Sequence, residues 1–249
     1  MLSDIFHILP LLAGVALGCY IQTITGFAFG LVFISFITVF NLLDLQSATL
    51  ISSALAVVNT TTALLNRERH ADKKLVLLIL ICGLPFLFVG YQLLAFLDAN
   101  NITLIKYILS IIIILASLLL FVPPKQGKSI SSLPVFGFFG GLAGLLGGLF
   151  AISGPPLIFQ FYRQNLPVKT IRDCLLTIFI VLASTRLGLG VAVEGLSETV
   201  WTTVLLALPI AYGFTWLAKN FPPKISDLTL RRIAAILLIF SAITIAVQA

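Results

Sequence analysis

Polar punctuation divides the chain into eight apolar runs, at about 5–40, 47–66, 75–96, 102–122, 133–162, 170–193, 198–218 and 228–248. A helix that crosses a bilayer takes about 20 apolar residues, so six of these runs have the length of a single span. The runs 5–40 and 133–162 are too long, and each contains residues that stop a helix. In the first the interruption reads Gln22-Thr23-Ile24-Thr25-Gly26; in the second it extends from Gly147 and Gly148 to Ser153-Gly154-Pro155-Pro156. Glycine is a poor helix former and proline has no N–H to donate. The pattern predicts that one helix ends and another starts at each place, with Thr25 or Ser153 as N-cap and Pro155 or Pro156 in the first turn.

Composition sets the medium in which these helices sit. Of 249 residues, 59% are hydrophobic and 10% charged, against roughly 45–50% and about 25% in a soluble domain. Too few charges remain to coat a water-soluble surface, and the apolar excess excludes a disordered chain, a collagen-like fibre or a disulfide scaffold. This is an integral membrane protein with little chain left for an extramembrane domain. Cys19, Cys82 and Cys174 stand singly in apolar runs, without metal-ligand spacing, and read as packing residues. The first ten residues carry Asp4 and His7 but no Lys or Arg. They lack the basic flank of a signal peptide, so the first apolar run is expected to stay in the mature protein.

The chain also repeats itself at an offset of about 124–126 residues. Gly14 and Gly18 match Gly140 and Gly144, Asn41-Leu42 matches Asn165-Leu166, and Leu84-Pro85 matches Leu208-Pro209. Thr60-Thr61 matches Ser184-Thr185, and Asn101 to Lys106 matches Asp227 to Arg232. The expected organisation is a first repeat over 1–122, a polar linker over 123–132 and a second repeat over 133–249. Charge then decides topology. If both long runs crossed the membrane, the basic residues would divide six against eight between the two sides. If each goes in and returns, Arg67, Arg69, Lys73, Lys74, Lys125, Lys128, Arg163, Lys169, Arg172, Lys219, Lys224, Arg231 and Arg232 share one side, and Lys106 stands alone on the other. The second arrangement obeys the positive-inside rule. It explains the net charge of +6 without nucleic acid. Each repeat then comprises a broken-helix hairpin plus three transmembrane helices, which makes the repeats inverted and places both termini outside the cytoplasm.

Inverted repeats with discontinuous helices are the plan of many secondary transporters, whose sites lie where half-helix N-termini meet. Such ends present unpaired N–H groups and partial positive charge, so they favour anions. Gly140-Gly141-Leu142-Ala143-Gly144-Leu145-Leu146-Gly147-Gly148 followed by Ser153-Gly154-Pro155-Pro156 resembles the second-repeat signature of the sulfite exporter TauE/SafE family. The run Gln22 to Gly30 is similar to its first-repeat counterpart, and the resemblance covers essentially the whole chain. It implies transport of small anions, mostly sulfur oxyanions or organosulfonates, across the cytoplasmic membrane of a prokaryote. Some members take carboxylates, so the resemblance does not fix the substrate.

The residues expected to meet the anion are Gln22, Thr23, Thr25 and Gly26 at the first break and Gly148, Ser153, Gly154 and Pro155 at the second. Asn59, Thr60, Ser184, Thr185 and Arg186 join them from the neighbouring spans. Arg186 is the basic residue well inside an apolar run, where a charge costs roughly 2.5–3.5 kcal/mol near the centre. Either it balances the charge of a bound anion or its long side chain snorkels to the outer interface. The hydroxyls near it either line the route or bond back to their own helix. Gln160 is a further candidate for the route, whereas Gly14, Gly18, Gly140, Gly141 and Gly144 read as helix-packing residues. Asp4, Asp44, Glu68, Asp72, Asp98, Asp173, Glu194, Glu198 and Asp227 all fall near run ends, which leaves no mid-span carboxylate. His7 and His70 fall outside the spans. No phosphate-binding loop, metalloprotease motif or nucleophile–base pair is present, so neither an enzyme nor a cofactor is expected. The reading is a carrier for a small anion working by alternating access within the lipid bilayer, with an anion channel or a carboxylate carrier as the alternative. A homodimer is left open.

Overall fold

A computed structural model describes residues 2–65, 70–121, 130–221 and 227–248. These residues form ten helices: α1 (Leu2–Thr25), α2 (Phe29–Val39), α3 (Leu45–Leu64), α4 (Lys73–Asn100), α5 (Ile102–Phe121), α6 (Leu133–Phe150), α7 (Gly154–Tyr162), α8 (Val168–Val193), α9 (Glu198–Asn220) and α10 (Asp227–Val247). No strand occurs among the described residues. Six helices there, α1, α3, α4, α6, α8 and α9, are long and apolar enough to cross a membrane. The protein is an all-α integral membrane protein. Local chemistry starts several helices: Asp44 accepts from the Ser47 N–H at 2.8 Å, and Asp72 accepts from the N–H groups of Lys74 and Leu75 at 2.9 and 3.2 Å. Each bond satisfies an amide that the first turn leaves without an acceptor.

Both overlong apolar runs fold as hairpins. Gly14 and Gly18 of α1 lie against Phe36 and Phe29 of α2, so α2 runs back along α1. In the other hairpin the rings of Phe136 and Phe161 meet edge to face at 5.6 Å, and Gln164 Oε1 accepts from the Ser131 N–H at 2.7 Å. The hairpins enter from opposite ends of the bundle. The first opens beside the end of α10, where Gln248 Nε2 donates to the Val39 carbonyl and Lys106 Nζ to the Gln248 carbonyl, each at 3.3 Å. Asp44, Asp98 and Glu194 gather at this end, with Asp98 close enough to each of the other two to feel its charge. The second hairpin opens at the end that holds Lys73, Lys74, Arg163, Lys169 and Lys219. There Lys219 donates to the Leu65 carbonyl and the His70 N–H donates to Asp173 Oδ2 at 2.9 Å. Arg67, Glu68, Arg69, Lys125, Lys128, Lys224 and linker residues 123–129 lie outside the described residues.

The breaks themselves are shorter than the sequence predicts. Gln22, Thr23 and Thr25 remain in α1, and the chain unwinds over Gly26-Phe27-Ala28, with φ of 86° at Gly26 and 87° at Ala28. Thr25 is not the cap of α2, because its hydroxyl donates back to the Ile21 carbonyl at 2.8 Å. Gly147 and Gly148 likewise continue α6, and the second interruption is confined to residues 151–153, with φ of 55° at Ala151. Two alanines thus occupy left-handed backbone that a side chain disfavours.

Packing holds these interruptions in place. The tips touch each other: a Cβ on Gly30 would run into the Ala151 carbonyl. Elsewhere α4 and α6 run parallel with their backbones in contact, since a Cβ on Gly144 would collide with the Gly83 carbonyl and one on Gly148 with that of Leu87. Small residues permit this approach, and the dispersion attraction between such close backbones replaces the hydrophobic drive that lipid does not supply. Helices α3 and α8 run antiparallel, with Leu50 against Gly190, and so do α5 and α10, through Lys106 and Gln248.

Candidate functional site

Between the two hairpin tips lies a cavity of about 50 Å³, counted as space open to the centre of a water molecule. That is room for a few waters or one small oxyanion with its contacts. Its walls come from both breaks and from the middle of two spans: Gln22, Ala28, Gly30 and Leu31; Ser53 and Ala56 of α3; Gly147 and Ala151 to Pro155; and Phe179, Leu182, Ala183 and Arg186 of α8.

The polar groups on this wall are set by their own helices. Gln22, one turn before the end of α1, accepts from the Phe29 N–H at 3.1 Å through Oε1 and donates to Thr60 Oγ1 at 3.2 Å through Nε2. It therefore caps α2 from outside that helix. The first intrahelical bond of α2 is donated by the Val32 N–H to Ala28, which leaves the Gly30 and Leu31 amides at the cavity without an intrahelical acceptor. The N-terminus of α7 differs. Pro155 and Pro156 follow Gly154 there and have no N–H. That end contributes the helix dipole, the Gly154 amide and the Ser153 hydroxyl, but fewer donors than α2.

Arg186 supplies the charge. It is 1% exposed, and its guanidinium turns inward: Nε donates to the Gly148 carbonyl at 3.0 Å and Nη2 to Thr49 Oγ1 at 2.6 Å. The Tyr91 ring covers its Cζ at 5.7 Å. Nη1 is buried with no partner, and among the described residues no carboxylate forms an ion pair with Arg186. A cation held away from water by neutral groups keeps a large unmet electrostatic demand, and an anion in the cavity would meet it. The inward bonds correct the snorkelling reading, since this side chain does not reach the outer interface.

Five of the sequence-predicted residues, Gln22, Ser153, Gly154, Pro155 and Arg186, come together on the cavity wall. Thr60 and Gly148 stand one step back, as partners of Gln22 and Arg186. Asn59 Nδ2 donates to Thr23 Oγ1 at 3.2 Å and to Thr215 Oγ1 at 2.6 Å, which ties α3 to α1 and α9 away from the cavity. Thr25 and Thr185 bond back to their own helices, the latter to the Val181 carbonyl at 2.9 Å. Gly26 packs beside Arg172, whose Nη2 donates to the Thr23 carbonyl at the end of α1. Ser184 is exposed, because Arg186 turned inward places the residue two before it on the outer face of α8. Gln160 is buried outside the cavity wall with Nε2 unpaired. Sequence reasoning missed Thr49, Ser53, Ala28 and Ala151. Ser53 and Thr49 stand one turn apart within α3, a spacing that a search for polar faces of helices would have found.

Residues 10–245 match the family described as Sulfite exporter TauE/SafE. The chain is 33% identical over 230 residues to a protein of Cupriavidus necator named as a probable sulfite/organosulfonate exporter TauE, covering 91% of this chain and 90% of that one. No solved structure matches it significantly.

Proposed function

The chain belongs to the TauE/SafE sulfite exporter family, whose members are membrane exporters rather than enzymes, and from that premise we propose that it is a secondary carrier for a small sulfur oxyanion. Sulfite or an organosulfonate sits in the cavity between the hairpin tips and crosses the cytoplasmic membrane by alternating access. The observation that carries this reading is the unpartnered Nη1 of buried Arg186 on the cavity wall. Around it the free amides of Gly30 and Leu31, the Gly154 amide and the Ser153 hydroxyl supply directed donors. Charge-assisted bonds of this kind are the strong ones in a low-dielectric setting.

The packing supports two inverted repeats, α1–α5 and α6–α10. Exchanging the halves carries the packing of α1 on α9 into that of α6 on α4. The counterparts α3 and α8 run antiparallel, as inversion requires, and so do α5 and α10. The basic end faces the cytoplasm, and both termini lie on the other side.

Reconstituted protein should show saturable uptake of radiolabelled sulfite, with exchange against unlabelled sulfite on the opposite face. Sulfonates should compete and small carboxylates should not. Unitary current steps in a planar bilayer, at a throughput above what a microsecond-to-millisecond conformational cycle allows, would overturn the carrier in favour of a channel. Competition by carboxylates alone would overturn the substrate class.

A further inference from the structure

Of the α8 residues on the cavity wall, Arg186 is the nearest to the end where Glu194 caps the helix. One side chain from another helix bridges these two. Tyr91 of α4 lays its ring over the Arg186 guanidinium and donates its hydroxyl to Glu194 Oε1 at 2.5 Å. Tyr91 is 2% exposed, whereas Glu194 lies at the surface. The step from buried cation to surface carboxylate is therefore filled by a single aromatic ring.

The backbone beneath that ring belongs to a stiff unit. A Cβ on Gly148 would lie 2.7 Å from the Tyr91 amide nitrogen, and Gly83, Gly90, Gly140 and Gly144 continue the close approach of α4 and α6. Close-packed helices of this kind move together or not at all. At this end α4 and α6 meet α8 through two polar ties, the Tyr91 hydroxyl on Glu194 and the Gly148 carbonyl on Arg186. Any motion that opens the cavity toward Glu194 must part them.

We propose that Tyr91 closes the cavity at the Glu194 end of the bundle, and that its bond to Glu194 breaks before an anion passes in that direction. Tyr91 is in this sense a positioning residue, acting through Arg186 and Glu194. The proposal rests on the carrier reading of the cavity, and its test is independent of transport.

In the full chain, Cys19, Cys82 and Cys174 are replaced by serine or alanine. Ser53, on the cavity wall and bonded back to the Thr49 carbonyl at 2.8 Å, becomes the reporter as Ser53→Cys. A membrane-impermeant trimethylammonium methanethiosulfonate is then applied to one face of oriented vesicles at a time. Glu194→Gln keeps shape at an exposed position, so it tests the latch even where Tyr91→Ala fails to fold. With either change, labelling from the Glu194 face should rise, about tenfold or more where Tyr91→Ala removes the charge-assisted bond and a few-fold where Glu194→Gln leaves a neutral one in its place, as the closed–open balance shifts. Labelling from the basic face should not rise. Tyr91→Phe, which keeps the ring, should fall between parent and Tyr91→Ala. Unchanged rates in Glu194→Gln, or an equal rise from both faces, would overturn the proposal. A one-sided rise that ethanesulfonate, an organosulfonate inert toward thiosulfonates, fails to protect against would leave the closure standing and remove the anion-carrier reading instead.

Discussion

Arg186 is a buried cation held by a carbonyl and a hydroxyl, with one nitrogen left over. If that nitrogen meets the anion, Arg186→Ala should weaken sulfite binding by more than tenfold, since a charge-assisted hydrogen bond contributes about 1.5–3 kcal/mol. Arg186→Lys should recover part of the loss, because lysine keeps the charge without the planar fork that serves Gly148, Thr49 and the ligand at once. The measurement is a dissociation constant on purified, monodisperse variants, which separates binding from folding. An unchanged constant for Arg186→Ala would leave the anion to helix amides and hydroxyls. The need for such a residue was legible in the sequence as a charge inside an apolar run. Its direction was not, because Thr49 lies 137 positions away in the chain.

Among the helices, two glycines that look alike in sequence are expected to behave differently. A Cβ on Gly154 would make ordinary contacts, at 3.5 Å to Ile158 and 3.6 Å to Phe27, beside the open cavity. Gly154→Leu should therefore insert and fold with near-parental melting while losing transport, because the larger side chain takes the space of the anion. At Gly144 the same Cβ would strike the Gly83 carbonyl, so Gly144→Leu forces α4 and α6 apart. Overpacking of that kind costs typically about 1–3 kcal/mol, and the melting temperature in detergent should drop accordingly. Normal transport by Gly154→Leu would mean that the second break serves packing alone. Breaker residues announced both interruptions, yet their exact limits came from side-chain competition. Thr25 satisfies a carbonyl of α1 and Gln22 reaches across to cap α2, which moves the first break three residues downstream of where Thr25 alone would put it.

Taken as a whole, the bundle separates charge along its axis: lysines and arginines gather where the second hairpin opens, and Asp44, Asp98 and Glu194 gather where the first opens. Insertion with the basic end in the cytoplasm requires both chain ends on the opposite side. Alkaline phosphatase fused after Ala249 should be active, and a fluorescent protein that matures in the cytoplasm should stay dark there. The reverse result would invert the molecule in the membrane and reassign the Tyr91–Glu194 closure to the inner face.

Sequence alone determined the medium, the helical class and the neighbourhoods in which helices break. Each of these follows from local quantities: hydropathy over a span, backbone donors missing at proline, strain relieved at glycine, and charge counted between runs. Tertiary structure decided which polar groups face the cavity. Asn59 and Thr23 are as polar as Gln22 and Ser53, but they are spent on tying α1, α3 and α9 together. Ser184 was lost to the outer face by the turn of one helix. Two alanines with no signal of their own, Ala28 and Ala151, came to lie at the hairpin tips, because contacts across the bundle hold backbone conformations that no local propensity would choose.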